Sequence, residues 1–172
     1  FKQRAVLAAT MAPSWGIYSG YELGENEPAA ETNEEYFGSE KYELKYRDWG
    51  AAHSIAAYLT RLNHIRRAHP ALTEMASLHF HGTTSDLLIA YTKQLMLPSG
   101  PDTVLVVVNL DPYFAHEGTL QLDLGLLGLP WNAPLRAFDE LTGEVFAWQG
   151  PQPYIRLDPG QPAHVIVLET RP

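Results

Sequence analysis

The spacing of hydrophobic residues changes once along the chain, near Pro70, and this change divides the sequence into two parts. Between residues 1 and 10 the apolar positions follow helical spacing, and Pro13 ends this short helix. A longer amphipathic helix is predicted after Asp48, its expected N-cap, and ends at Pro70. Its apolar side comprises Ile55, Tyr58, Leu59, Leu62 and Ile65.

A compact aromatic run with two glycines, residues 15–21, lies between the two helices and is followed by Glu22. This pattern predicts a buried strand with a carboxylate at its carboxyl end, and a long loop from Gly24 to Asp48. Helix, strand, loop and helix in this order are typical of one βα unit of an α/β barrel, whose active site lies on the loop face. One unit cannot close a barrel, and the chain begins with Phe1 inside a helical pattern. We therefore expect this chain to be a C-terminal fragment of a longer polypeptide.

After Pro70 the hydrophobic period becomes two, which predicts short antiparallel strands separated by Gly, Pro, Asn and Asp turns. The continuous apolar run Val104–Val108 predicts a central strand that is buried on both faces. We expect these strands to form an antiparallel β-sandwich. The predicted strands are 78–81, 86–93, 103–109, 119–124, 135–141, 144–148, 154–158 and 164–169.

The predicted fold class is therefore α/β followed by all-β. We place the last strand-helix unit of a TIM (β/α)8 barrel in residues 1–72 and the β-sandwich domain in residues 73–172. The sandwich has paired strands and its own core, so it is expected to fold by itself, whereas residues 1–46 are not.

The charge of the chain excludes one class of partner. The net charge is −8, and nine of the 20 acidic residues lie between residues 22 and 48. A nucleic-acid surface needs clustered Lys and Arg, so no nucleic-acid partner is expected. The chain has no cysteine and no apolar run of roughly 18 residues, so we expect a cytoplasmic protein without a membrane segment.

Two acidic residues after the predicted strand, Glu22 and Glu25, are candidates for acid and nucleophile in glycoside chemistry. They lie three residues apart in one loop, whereas a catalytic pair must flank a bond and usually comes from different strands. Hydrogen bonds that order the loop are therefore the preferred role for both carboxylates.

A lysine beside a tyrosine in the acidic loop, Lys41 and Tyr42, could bind a sugar. The ammonium group donates up to three hydrogen bonds to hydroxyls, and the ring packs on a pyranose face. From spacing alone, a solvated lysine that neutralises Glu40 and Glu43 is the favoured interpretation.

Histidines and tryptophans supply two further candidates. His79 and His81 share one face of a predicted strand, but no third metal ligand follows at a recognisable spacing, so no metal site is expected. Trp131 and Trp148 could form a carbohydrate platform, although core or interface positions are the commoner use of such residues. We also expect no cofactor, because no phosphate-binding glycine loop is present.

Several segments taken together resemble one branch of the α-amylase superfamily, the bacterial α-1,4-glucan:maltose-1-phosphate maltosyltransferases. The resemblance covers essentially the whole chain. Its most specific parts are the strand ending Ser19-Gly20-Tyr21-Glu22-Leu23 and the loop Glu40-Lys41-Tyr42-Glu43, and its weaker parts are residues 47–49, 62–72 and 106–112.

The resemblance implies a retaining transfer of maltosyl units from maltose 1-phosphate to the non-reducing end of an α-1,4-glucan acceptor. The three catalytic carboxylates of the family come from earlier barrel strands, so no catalytic residue is expected here and the chain alone should be inactive. Lys41 and Tyr42 match the residues that contact the bound disaccharide. The remainder of the same polypeptide is an implied partner, and the whole enzyme is expected to be a homodimer.

Two other functions compete with this interpretation. One is a stand-alone carbohydrate-binding β-sandwich module with a helical lead-in. The other is part of a related amylase-type hydrolase or isomerase, which would differ mainly in its other barrel loops and at Lys41.

Overall fold

In the computed structural model, which describes residues 1–33, 35–38 and 44–170, two α-helices pack on one face of a curled antiparallel sheet. Helix α1 spans Lys2–Met11, and helix α2 spans Ala56–Ala68. Two short 3₁₀ helices, Tyr21–Leu23 and Pro70–Thr73, follow them in the chain. No helix in these described ranges is long and apolar enough to cross a membrane.

All eight predicted strands are present, and every neighbouring pair is antiparallel. They form one continuous sheet in the order β6-β5-β8-β3-β2-β1-β4-β7, rather than the two separate sheets of the predicted sandwich. The strands are β1 Leu78–Thr83, β2 Leu88–Leu97, β3 Gly100–Asn109, β4 His116–Gln121, β5 Pro134–Asp139, β6 Val145–Gln149, β7 Tyr154–Leu157 and β8 Ala163–Thr170.

Strand β3 lies in the middle of the sheet, between β2 and β8, which confirms the prediction for Val104–Val108. All five residues of this run are completely buried. Successive side chains of a strand point to opposite faces, so the run needs an apolar layer on each side. The structure supplies both layers.

The first layer is the interior of the curled sheet. Leu105 and Val107 of β3 face it, together with Leu135 of β5 and Ile155 of β7. Because β5 and β7 lie near opposite ends of the strand order, their presence in one cluster shows that the sheet curls around this core. The curl replaces the second sheet of a sandwich.

The second layer is helical and covers the opposite face of β2, β3 and β8. Val6 and Leu62, from α1 and α2, pack against Val104, Val106 and Val165. A polar link adds to this contact, since the hydroxyls of Thr10 and Tyr91 lie 2.5 Å apart in the buried interface. Each fully buried apolar side chain of this kind contributes roughly 1.5–3 kcal/mol.

Two cations, the half-buried Arg66 and the buried Lys93, connect the helical layer to the sheet through carbonyl oxygens. Arg66 donates to the carbonyls of Ala9, Ala12 and Leu72, the first two at the end of α1. Lys93 of β2, completely buried, donates to the same Leu72 oxygen at 3.4 Å. Burial lowers the pKa of both side chains. The partial negative charge of a helix C-terminus compensates part of this positive charge.

Two local predictions in the first part are wrong. Residues 15–21 do not form a strand, and the chain turns at Ser19 and Gly20 into the 3₁₀ helix. No described strand pairs with this segment, and an extended strand needs neighbours to pair its backbone groups. Helix α2 begins at Ala56, not after Asp48, whose carboxylate accepts from the Gly50 backbone in a turn.

Candidate functional site

The base of the long acidic loop is closed by a pair of ionic hydrogen bonds between Glu25 and Arg47. Arg47 Nε lies 2.9 Å from Glu25 Oε1, and Arg47 Nη2 lies 3.2 Å from Glu25 Oε2. The same guanidinium donates to the backbone oxygen and hydroxyl of Ser19, each at 3.3 Å. We call Ser19, Glu25 and Arg47 the loop clamp. It joins two points that are 22 residues apart, and the intervening residues form the loop.

The loop clamp depends on the backbone of Gly20. This glycine has φ +100, in the left-handed region, and an added Cβ would lie 2.3 Å from Glu25 Oε2. Only glycine combines this conformation with so close an approach. The Gly20 N–H donates to Glu22 Oε2 at 3.1 Å, so both predicted carboxylates are occupied by contacts that order the loop.

The charges at the clamp are arranged to keep Glu25 ionised. Hydrogen bonds from Arg47 and Lys45, opposed by slight burial, hold the pKa of Glu25 below its usual value. The Arg47 side chain is almost completely buried and lies 5.7 Å from the centre of the Trp49 ring. Bidentate Arg–carboxylate pairs are among the stronger charged contacts, because both hydrogen bonds are fixed in one plane.

The predicted sugar ligands, Lys41 and Tyr42, lie outside the described residues. The described part of the loop before them is folded. Pro28 and Tyr36 form an isolated antiparallel bridge, and the Phe37 N–H donates to the Glu27 carbonyl at 2.8 Å. The described flanks of Lys41 are therefore a bridged turn on one side and the clamp residue Arg47 on the other.

A groove of about 580 Å³ lies beside this loop, between α1 and the turn that follows β3. Its lining combines the aromatic rings of Tyr21, Tyr36 and Tyr113 with the polar side chains of Arg4 and Asn26. Aromatic faces with a few hydrogen-bonding groups are the usual surface for a sugar. The groove adjoins the same loop that carries the predicted sugar ligands.

The histidines on the first strand have separate environments. His79 is exposed, whereas His81 is buried, with Nε2 2.9 Å from the Thr92 hydroxyl and Nδ1 accepting from the Asp123 N–H. Burial lowers the pKa of His81, so the ring is neutral near pH 7. Within residues 1–33, 35–38 and 44–170, no group of three or more His, Asp or Glu side chains could hold a metal ion.

The two tryptophans that could form a carbohydrate platform also differ. Trp131 is 72% exposed, whereas Trp148 packs against the core inside the curled sheet. Trp148 stacks on Phe146 with ring centres 6.0 Å apart and an angle of 14° between the planes. Phe146, which had no role in the sequence-based predictions, is thus the aromatic partner of Trp148.

The predictions from the sequence also missed a buried carboxylate–histidine pair, Asp139 and His164. Asp139 is completely buried and lies 2.8 Å from His164 Nδ1, and it also accepts from Thr142 and the Val165 N–H. Burial alone would raise the pKa of Asp139, but these hydrogen bonds hold it below the usual value. The two residues are 25 positions apart on neighbouring strands, so only the β5–β8 register brings them together.

Comparison with known proteins gives one family and a consistent set of relatives. The family model described as "GLGE, C-terminal" matches residues 80–168, slightly more than half of the chain. Alpha-1,4-glucan:maltose-1-phosphate maltosyltransferase 2 of Streptomyces coelicolor is 54% identical over 96% of the chain. The enzyme of the same name from Mycobacterium tuberculosis is 46% identical over 100% of it. The chain spans about a quarter of the length of each of these curated relatives.

Solved structures of α-amylases share the fold. A maltogenic α-amylase of Thermotoga neapolitana matches 99% of the chain and 36% of its own length, with a TM-score of 0.66 and 13% identity. An α-amylase of Geobacillus thermoleovorans matches 99% of the chain and 33% of its own length, with a TM-score of 0.63 and 19% identity. The arrangement of helices and curled sheet is therefore found in α-amylases.

Proposed function

Because the chain belongs to the GLGE C-terminal family, we propose that it is part of an α-1,4-glucan:maltose-1-phosphate maltosyltransferase. The observation that carries this proposal is the 54% identity to a maltosyltransferase over 96% of the chain, which includes the loop as well as the sheet. The substrates are then maltose 1-phosphate and an α-1,4-glucan. The complete enzyme is a glycosyltransferase of the α-amylase superfamily.

The proposed reaction is a retaining transfer in two steps. An aspartate attacks the anomeric carbon of maltose 1-phosphate, the bond to the phosphate oxygen breaks, and a glutamate donates a proton to the leaving group. The glutamate then removes a proton from a hydroxyl at the non-reducing end of the glucan. That oxygen attacks the anomeric carbon and releases the aspartate. These carboxylates belong to other parts of the polypeptide, so the 172-residue chain alone has no transferase activity.

Lys41 and Tyr42 are the proposed contribution of this chain to donor binding. The Lys41 ammonium donates hydrogen bonds to sugar hydroxyls, and the Tyr42 ring packs on a pyranose face. Two observations support this assignment: the loop clamp holds the loop at its base, and an aromatic groove adjoins the described part of the loop.

We also propose the domain division at residue 72. Residues 1–72 supply the last strand-helix unit of the catalytic (β/α)8 barrel, and residues 73–172 form the C-terminal β domain. Two facts support this division: the family model begins at residue 80, and α-amylases share the arrangement of the described residues. In the complete barrel, the segment 15–21 gains strand neighbours that it lacks among the described residues.

The remaining features of the proposal concern the whole enzyme. It is a cytoplasmic homodimer that binds neither nucleic acid nor membranes. The net charge of −8 supports the exclusion of nucleic acid. The absence of cysteine is consistent with a reducing compartment.

The test of this proposal is the product formed by the longer polypeptide that contains this chain. We expect it to release phosphate from maltose 1-phosphate only when maltoheptaose is present, and to lengthen the acceptor by two glucose units. Release of free maltose at the same rate with and without an acceptor would instead identify a hydrolase. Conversion of the disaccharide into an isomer, without lengthening of the acceptor, would identify an isomerase. The isolated 172-residue chain is the control and should release no phosphate.

A further inference from the structure

The curled sheet has two edge strands, β6 and β7, and a small pocket lies where they approach each other. We call it the seam pocket. Its volume is about 310 Å³, at the lower end of the roughly 300–1,000 Å³ that ligand pockets span. Its polar and aromatic lining includes Glu144, Phe146, Arg156, Asp158, Gln161 and His164.

His164 lines this pocket and is held from behind by a buried carboxylate. The residue is 5% exposed, and its Nδ1 lies 2.8 Å from the carboxylate of Asp139. A carboxylate only accepts, so Nδ1 carries a proton and is engaged by Asp139, and Nε2 is the ring nitrogen left for a ligand. Among the described residues, Nε2 has no hydrogen-bond partner. A ring nitrogen that is accessible from a pocket can bond to a sugar hydroxyl, because a hydroxyl both donates and accepts.

Phe146 supplies a rigid aromatic surface beside His164. One face of its ring is stacked on Trp148, and the ring makes a T-shaped contact with His164, with ring centres 5.4 Å apart. The ring is only partly buried, so part of it faces the pocket. An aromatic ring fixed by two neighbours costs little conformational entropy when a sugar packs on it.

The charged groups of the seam pocket favour a neutral ligand. Two carboxylates, Glu144 and Asp158, face a single guanidinium, Arg156. Asp158 accepts from the N–H groups of Gly160 and Gln161 at 2.8 and 3.0 Å, and these bonds hold the turn that carries the Gln161 amide. An excess of carboxylates repels phosphate, whereas carboxylates, amide and guanidinium all bond to hydroxyls.

We propose that the seam pocket binds one or two glucose units of an α-1,4-glucan. The sugar packs against Phe146, one hydroxyl bonds to His164 Nε2, and Gln161 and the carboxylates bond to the others. The choice of an α-glucan among neutral oligosaccharides rests on the proposed function. The residues that line the pocket lie between 144 and 164, and none belongs to the described part of the loop from 24 to 48.

The test is a calorimetric titration of the 172-residue chain with maltoheptaose. We expect saturable binding that Gln161→Ala and Phe146→Ala each weaken by about tenfold, the loss of one good contact. Gln161 lies in a partly exposed turn, so its variant should keep the fold even if Phe146→Ala loses stability. Trp131→Ala is the matched control, because this exposed aromatic residue does not line the pocket. Its dissociation constant should stay within about twofold of wild type, and inorganic phosphate should not compete.

Two results would overturn the seam site. One is the absence of binding at about 10 mM maltoheptaose, a concentration well above the dissociation constant of about 1 mM that a weak complex would have. The other is binding that survives both pocket variants but is abolished by Lys41→Ala, which would assign it to the loop. Failure of the transferase assay with the longer polypeptide, together with Gln161-dependent glucan binding, would reject the proposed enzyme but retain the seam site.

Discussion

The β-sheet and the loop segment from residue 15 to 48 hold their shapes in different ways. Each interior strand of the sheet pairs on both sides, and apolar layers cover both faces of β3. The described part of the loop segment has one isolated bridge, a short 3₁₀ helix and the loop clamp. Many redundant contacts therefore specify the sheet, whereas a few side chains specify the loop.

This difference predicts different responses to mutation. A change in the sheet should alter the free energy of unfolding of the whole chain, because its core is shared by several strands and by the helices. A change at the clamp should open the loop while leaving the sheet folded, since local opening costs less than global unfolding.

The largest expected effect is in the sheet, at the buried carboxylate of Asp139. Asp139→Ala leaves the His164 and Thr142 side chains and the Val165 N–H without their acceptor. Breaking a buried pair in this way costs about 3–5 kcal/mol. Urea denaturation should show this loss in the free energy of unfolding. Arg136→Ala is the control; it breaks an exposed pair with Glu169 and should cost about 0–1 kcal/mol. Equal effects of the two variants would contradict the assignment.

The next effect separates the loop from the sheet. Gly20→Ala places a methyl group against Glu25 in a left-handed conformation, which costs about 1–2 kcal/mol for the backbone alone. We expect faster proteolytic cleavage between residues 24 and 48, with the sheet still protected. Gly16→Ala is the matched control, because an added Cβ there meets no atom within 4 Å. Cleavage that starts within the sheet, or equal cleavage of both variants, would show that the clamp does not hold the loop.

A smaller effect of opposite sign is expected in the helical layer. The Tyr58 hydroxyl is buried and has no hydrogen-bond partner among the described residues. An unsatisfied buried hydroxyl costs about 1–3 kcal/mol, so Tyr58→Phe should stabilise the 172-residue chain by about 1 kcal/mol in urea denaturation. Tyr91→Phe is the control. It removes a hydroxyl that is bonded to Thr10 and should destabilise the chain. A loss of stability in Tyr58→Phe would indicate a partner for this hydroxyl.

The smallest effect is the pH dependence of the loop clamp. Hydrogen bonds from Arg47 and Lys45 lower the pKa of Glu25 in the folded state, so the contribution of the clamp is present above the usual pKa of 4.5. It is lost as the pH falls through the lowered value, where the carboxylate becomes protonated. An acid-active protease such as pepsin should therefore cut the loop progressively faster below about pH 4.5. The Glu25→Gln variant should be cut fast in the loop at every pH at which the protease is active. A rate of loop cleavage in the wild type that does not change with pH would contradict the charge-based clamp.

Sequence patterns specified the sheet better than the loop for a physical reason. Val104–Val108 is apolar at every position, and this local pattern directly reports burial on both faces. Gly143, with φ +82, lies in the gap between the predicted strands 135–141 and 144–148, where a turn is expected. The curl of the sheet was not visible, because it depends on which distant strands meet.

The loop segment carries less local information. The aromatic run 15–21 has the composition of a buried strand, but strand formation also needs partners, which the described residues do not supply. The contacts of Glu25 with Arg47 and of Asp139 with His164 join residues 22 and 25 positions apart, so no periodicity reports them. The resemblance to maltosyltransferases, by contrast, predicted the family that the comparison confirms.

The central claim is that the loop above the clamp carries the donor-binding lysine of a maltosyltransferase. Steady-state kinetics of the longer polypeptide with Lys41→Ala test it most directly. Lys45→Ala is the matched control, a lysine of the same loop whose exposed ammonium bonds to Glu25. Loss of a charge-assisted hydrogen bond of roughly 1.5–3 kcal/mol predicts that Lys41→Ala lowers kcat/KM for maltose 1-phosphate about tenfold to hundredfold. Lys45→Ala should stay within about twofold. A Lys41→Ala enzyme with kcat/KM within about twofold of wild type and an unchanged melting temperature would contradict the claim.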